Sequence, residues 1–140
     1  DNMEGTAIHL AHRDTTLVMV SRGSFERLEA YRRRMGWSLR WVSSAGSDFN
    51  RDFGVSWDDA DIEGGATYNY APHRMKTREM PGISTFRRGP DGAVFHTYST
   101  YGRGVEEING AYHLLDMTAK GRDEGDLPWT MAWLRRHDEY

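Results

Sequence analysis

The 140-residue sequence predicts an α/β sandwich built on a mixed sheet. Three observations carry this. Thr15 to Ser21 (TTLVMVS) is a nearly continuous apolar run rich in β-branched residues, and the clearest helical pattern, Ser24 to Met35, follows it at once. A buried strand leading into a helix implies a parallel crossover. Further along, Ile83 to Arg87 and Ala93 to Tyr101 flank the turn Gly89-Pro90-Asp91-Gly92 and run into a second helical pattern, so an antiparallel hairpin and a helix close the order. No repeat, low-complexity tract or linker interrupts the chain, and its length suits one domain, residues 1–140.

Each element has a local reason. Asn2 to Ala11 patterns weakly as a helix, with Met3, Ala7, Ile8 and Leu10 on one side, and Asp14 ends it. In the next helix Ser24 is placed to cap the first turn and Glu26 complements the positive end of the dipole. Phe25, Leu28, Tyr31 or Arg32, and Met35 follow helical spacing. Gly36 suits a left-handed stop, and Arg32 to Arg34 favour the negative end. Leu39 to Ser43 is a short strand, Ser44 to Asn50 (SAGSDFN) a turn, and Phe53 to Trp57 a short extended piece. Asp58 to Lys76 is polar and reads as an irregular excursion. Past the hairpin, Gly102 and Gly104 lead into a helix over Val105 to Leu115. Ala119 to Pro128 is a loop, and Trp129 to Leu134 a short apolar tail.

Composition excludes several function classes. Eighteen Lys and Arg against 21 Asp and Glu leave a net charge of −3, which argues against nucleic-acid binding, where a basic face is the rule. The cysteine count is zero, so disulfides, thiolate metal sites and thiol nucleophiles are impossible within these residues. No apolar run approaches a membrane helix, and Asp1 to Leu10 lacks a signal-peptide pattern, so a cytoplasmic location is expected.

Three segments resemble a thioredoxin-like domain of the peroxiredoxin-like type. They are Val18 to Ser21 with the helix Ser24 to Met35 and Gly36-Trp37; Trp41 to Asp48 leading to Phe53-Gly54-Val55; and Met80-Pro81, Ile83 to Phe86, Pro90-Asp91-Gly92 and Val94-Phe95. More closely, the chain resembles a bacterial family of thioredoxin-like proteins of unknown function, described as predicted dithiol-disulfide oxidoreductases. The strings that carry the likeness are HRDTTLVMVSR (His12 to Arg22), YRRRMGW (Tyr31 to Trp37), GSDFN (Gly46 to Asn50), FHTYSTYGRG (Phe95 to Gly104), LLDMTAKGRDE (Leu114 to Glu124) and LPWTMAWLRRHDEY (Leu127 to Tyr140). In that family a preceding segment supplies a central strand and a cysteine-bearing turn. The resemblance therefore implies a thioredoxin-like sandwich that lacks its first central strand and its CxxC-type motif.

Without a sulfur nucleophile, thiol–disulfide exchange cannot proceed here. The expectation is a redox-inactive, dimeric module that binds a protein or small molecule, with no cofactor and no metal. The alternative is the remnant of an oxidoreductase whose cysteines lie in a missing N-terminal segment. The missing strand would lie between Thr16–Val20 and Ile83–Phe86. Its loss leaves two open edges, filled by a second copy or by direct pairing of those two strands.

The candidate cleft or ligand contacts are Ser21, Arg22, Met80, Pro81, Tyr101 and Arg103. The resemblance puts a cis-proline at Met80-Pro81, with a plain turn as the other reading. Gly102-Arg103-Gly104 opens a helix and could bind an anion, against the plainer reading of close glycine packing. The candidate interface is Phe95, Tyr98, Trp129 and Trp133, within an aromatic concentration that also includes Tyr101 and Tyr112 and that otherwise seals a core. His9 and His12 share a helix face, but two ligands do not complete a metal site. His96 is expected to alternate with Val94 and Tyr98 on one strand face. Ser43, Ser44, Ser47 and Asp48 sit in turn-forming sequence without a nucleophile elbow.

Overall fold

The structure, a computed structural model, describes residues 1–140. Its elements in chain order are α1 (Glu4–Ala11), β1 (Val18–Ser21), α2 (Phe25–Arg34), β2 (Arg40–Ser43), α3 (Phe49–Asp52), α4 (Asp59–Gly64), β3 (Ala66–Tyr68), β4 (Ala71–His73), β5 (Gly82–Arg88), β6 (Val94–Tyr101) and α5 (Gly110–Asp116). Two 3₁₀ segments, Gly102–Ile108 and His137–Glu139, complete it. The chain forms two compact units, one of Asp1–Ala45 with Ile108–Tyr140 and one of Gly46–Glu107.

The first unit holds the parallel crossover. β1 pairs β2 in parallel, Val18 opposite Arg40 through Ser21 opposite Ser43, and α2 packs on β2. Both ends of α2 form as the residues dictate. The Ser24 hydroxyl accepts the Arg27 N–H at 3.4 Å. At the other end Gly36 adopts φ +67°, Trp37 N–H returns to the Arg32 carbonyl and Gly36 N–H to Arg33, a Schellman stop. Leu28 and Met35 are buried, whereas Phe25 in the first turn is exposed. β1 is shorter than the apolar run, and Val20 remains 37% exposed, so the strand is half-buried instead of covered on both faces. A two-stranded ribbon has no second neighbour to enclose it.

Long-range polar contacts hold this unit together. The Glu4 carboxylate in α1 accepts Ser38 N–H, the Ser38 hydroxyl and Leu39 N–H at 2.8, 2.7 and 3.2 Å. Those bonds, led by the Ser38 hydroxyl, hold the carboxyl below the usual carboxylate range against the opposing effect of burial. Arg34 on α2 grips Asp138 with two bonds at 2.8 and 3.0 Å, and Arg136 bonds the Tyr31 hydroxyl. Tyr31, Trp37 and Trp41 stack within 5.4–5.7 Å of one another.

The second unit corrects several expectations. Within Asp58 to Lys76, read as irregular, lie α4 and a tight hairpin of β3 and β4. Asp58 and Asp61 form a reciprocal capping box, and Asn69 and Tyr70 take φ +52° and +62°, the two left-handed residues of a type I′ turn. Phe53 to Trp57 contributes one bridge, Ser56 opposite Glu79, in place of a strand. α3 is a single helical turn that starts within the predicted turn Ser44 to Asn50 and runs on to Asp52. The core is Val55, Trp57, Tyr68, Met75 and Tyr101, with Ile62, Ala66 and Met80 packed against it.

The architecture is mixed α/β, with small sheets. The predicted mixed sheet is resolved into three separate two-stranded sheets, β1-β2, β3-β4 and β5-β6. The helix predicted over Val105 to Leu115 is split at Asn109, whose ψ of 81° is non-helical, into a 3₁₀ segment and α5. Trp129 to Leu134 forms turns only. The Met80–Pro81 peptide bond is trans, which corrects the cis reading, because the chain contains no cis bond. No helix is long and apolar enough to cross a membrane.

Candidate functional site

The β5-β6 hairpin gathers the most chemistry. Its register slips between Thr85 and Phe86: Phe86 faces His96, Thr85 faces Tyr98, and Thr97 is the extra residue of a bulge. This overturns the simple alternation expected for His96. Paired residues share a face, so Phe86, His96, Ser84, Ser99, Gly82 and Tyr101 lie on one side, and Arg87, Phe95, Thr85 and Tyr98 on the other.

The first face carries a line of polar contacts. His96 Nε2 lies 2.7 Å from Ser99 Oγ, which lies 2.7 Å from Ser84 Oγ. Ser99 is buried. The rings of Phe53 and Phe86 flank His96 at 5.3 and 5.6 Å, and Phe49 packs on Phe53 at 4.7 Å. At the far end of the same face, the Tyr68 hydroxyl donates to the Pro81 carbonyl and accepts the Gly102 N–H, both at 2.8 Å. Gly82 must be glycine here, since a Cβ would stand 2.9 Å from the Tyr101 ring and from Val55.

Of the sequence candidates, Met80, Pro81 and Tyr101 therefore meet around Tyr68. Arg103, nearby in sequence, is exposed and pairs with Glu106 at 3.2 Å. The 3₁₀ segment it lies in is closely packed, for a Cβ on Gly104 would collide with Thr100 Oγ1. Ser21 and Arg22 belong to the first unit, where the Ser21 hydroxyl accepts the Trp41 indole N–H at 3.0 Å and Arg22 is exposed. Among the interface candidates, Phe95 (54%), Tyr98 (58%) and Trp129 (67%) are exposed. Trp133 is half-buried, and its indole N–H donates to Glu124 at 2.7 Å.

Glu124 is the residue sequence reasoning passed over. Its carboxylate also accepts the Tyr112 hydroxyl at 2.9 and 3.1 Å and the Met131 N–H at 2.8 Å. Tyr112 is 2% exposed, and the Arg122 guanidinium lies 3.8 Å from its ring centroid. Burial opposes ionisation of Glu124, but the Met131, Trp133 and Tyr112 donors outweigh it and hold the carboxyl below its ordinary value. The only signal in the sequence was that Glu124 ends one family-like string and Trp133 lies in the next. In the second unit, Glu79 accepts from Asn50 at 3.3 Å and Ser56 at 2.8 Å, both buried, and so anchors the GSDFN turn. An open groove of about 540 Å³ beside α4 is lined by Glu63, Thr67, His73 and Arg74. No group of three or more His, Asp or Glu converges as a metal site.

These contacts join stretches that belong to a shared sequence pattern. The family model described as "Bacterial protein of unknown function (DUF899)" matches residues 1–140. The chain belongs to this family. No curated protein and no solved structure shows a match to it. Membership places the chain among bacterial proteins and leaves its activity to be argued from the residues.

Proposed function

We propose that the chain is a thioredoxin-like module without redox chemistry of its own, which acts by binding and associates as a dimer through open strand edges. The observation that carries this reading is the order of elements: a parallel β1-α2-β2 crossover, then an antiparallel β5-β6 hairpin followed by α5, in a chain with no cysteine. That order suits a thioredoxin-like sandwich. Its chemistry requires a thiolate that attacks a disulfide, and no other side chain here can take that part. What remains is the surface, where the hairpin leaves large rings exposed and each two-stranded sheet leaves strands unpaired on one side.

Two measurements test the reading. In an insulin-reduction assay with dithiothreitol, the chain should not raise the rate above background, and turnover would overturn the redox-inactive assignment. Light scattering at micromolar concentration should give the dimer mass, and a strict monomer would remove the dimer.

A further inference from the structure

The outer face of the β5-β6 hairpin is an unusual surface. The bulge at Thr97 brings Phe95 and Tyr98, three residues apart, onto one side with Arg87 opposite Phe95. Phe95 and Tyr98 are more than half exposed. The Arg87 guanidinium has no hydrogen bond, ion pair or ring partner. Asp91 is the one acidic residue between Gly82 and Tyr101, and its carboxylate is committed to the turn through the Ala93 N–H at 3.1 Å. A chain of net charge −3 therefore presents one uncompensated guanidinium, that of Arg87, beside two exposed rings on this face.

We infer that this face docks an acidic segment of another protein, with apolar side chains of that segment lying on Phe95 and Tyr98 and a carboxylate reaching Arg87. The inference rests on the binding-module reading and specifies its partner. Arginine and aromatic residues together are the composition enriched in interfaces, and the arginine selects an anionic partner. A second copy of this chain fits the face poorly, because a two-fold contact centred there brings like charges together. The platform is also set before binding. Thr97 Oγ1 lies 2.9 Å from Thr85 Oγ1 and donates to the Thr85 carbonyl at 3.1 Å, while the His96–Ser99–Ser84 contacts fasten the opposite face. Little ordering is then left for the association to bear.

The test is fluorescence anisotropy of the whole chain with a labelled synthetic peptide of alternating Glu and Leu, against the same peptide with Lys for Glu. The acidic peptide should bind and the basic one should not. Arg87→Glu should weaken the acidic peptide by about tenfold or more and admit the basic one. The double variant Phe95→Ser, Tyr98→Ser should lose both, with unchanged far-UV circular dichroism. Equal binding of the two peptides, or an Arg87→Glu variant that behaves as wild type, overturns the inference. So does self-association that disappears in the Phe95→Ser, Tyr98→Ser variant, since a second copy would then cover the face. If the peptides fail while insulin turnover stays at background, only the partner assignment falls. Insulin turnover above background instead removes the reading beneath it.

Discussion

Glu124 shows how much one carboxylate can organise. It gathers donors from Tyr112 in α5 and from Met131 and Trp133 in the tail, so both stretches depend on its ionised form. Its folded pKa is depressed, so its contribution is complete above the unfolded carboxylate value and is lost as pH falls through the folded one. Urea unfolding followed by tryptophan fluorescence should therefore show stability declining below about pH 4.3, the unfolded carboxylate value, and Glu124→Gln should flatten that decline. Tyr112→Phe leaves the packing and removes one donor, which should cost about 1–2 kcal/mol in the same experiment. Gly104 makes a steric case instead. Gly104→Ala sets a methyl against Thr100 Oγ1 and should cost about 1–3 kcal/mol, part of which Thr100→Ala in the same chain should restore.

In the elements, short helices survive because their ends are chemically specified. α2 owes its start to Ser24 and its stop to Gly36, and Ser24→Ala should lower stability by about 1 kcal/mol in urea titration. Along its exposed face Glu29 bonds Arg32 first and Arg33 next, which together push its carboxyl down to about 2. That bond set stays intact above the unfolded carboxylate value and is lost only near that low pH. The hairpin gives the contrasting lesson. A strand read by simple alternation puts Tyr98 beside His96, but one inserted residue, Thr97, turns Tyr98 to the face of Phe95. Bulges are not visible in hydropathy, because they depend on how the partner strand aligns.

For the whole molecule, three two-stranded sheets replace one continuous sheet. An isolated two-stranded ribbon is marginal, so each here leans on a helix, an aromatic cluster or a network of charged groups. Open edges of this kind favour association, and a dimer should show a Tm that rises with protein concentration. Calorimetry over a tenfold concentration range reads this directly, and a constant Tm would argue against a dimer coupled to folding.

The residues alone were enough for features governed by neighbours in sequence. The cap at Ser24, the left-handed Gly36, the Gly89–Gly92 turn and the exclusion of thiol chemistry all follow from local sterics, local hydrogen bonds or the absence of sulfur. Contacts between distant residues were decided only in the folded chain. The trans bond at Met80–Pro81, the break at Asn109, the bulge at Thr97 and the convergence on Glu124 depend on which segments meet. Hydropathy says how much surface a segment must bury, whereas the partner that buries it is selected by tertiary packing.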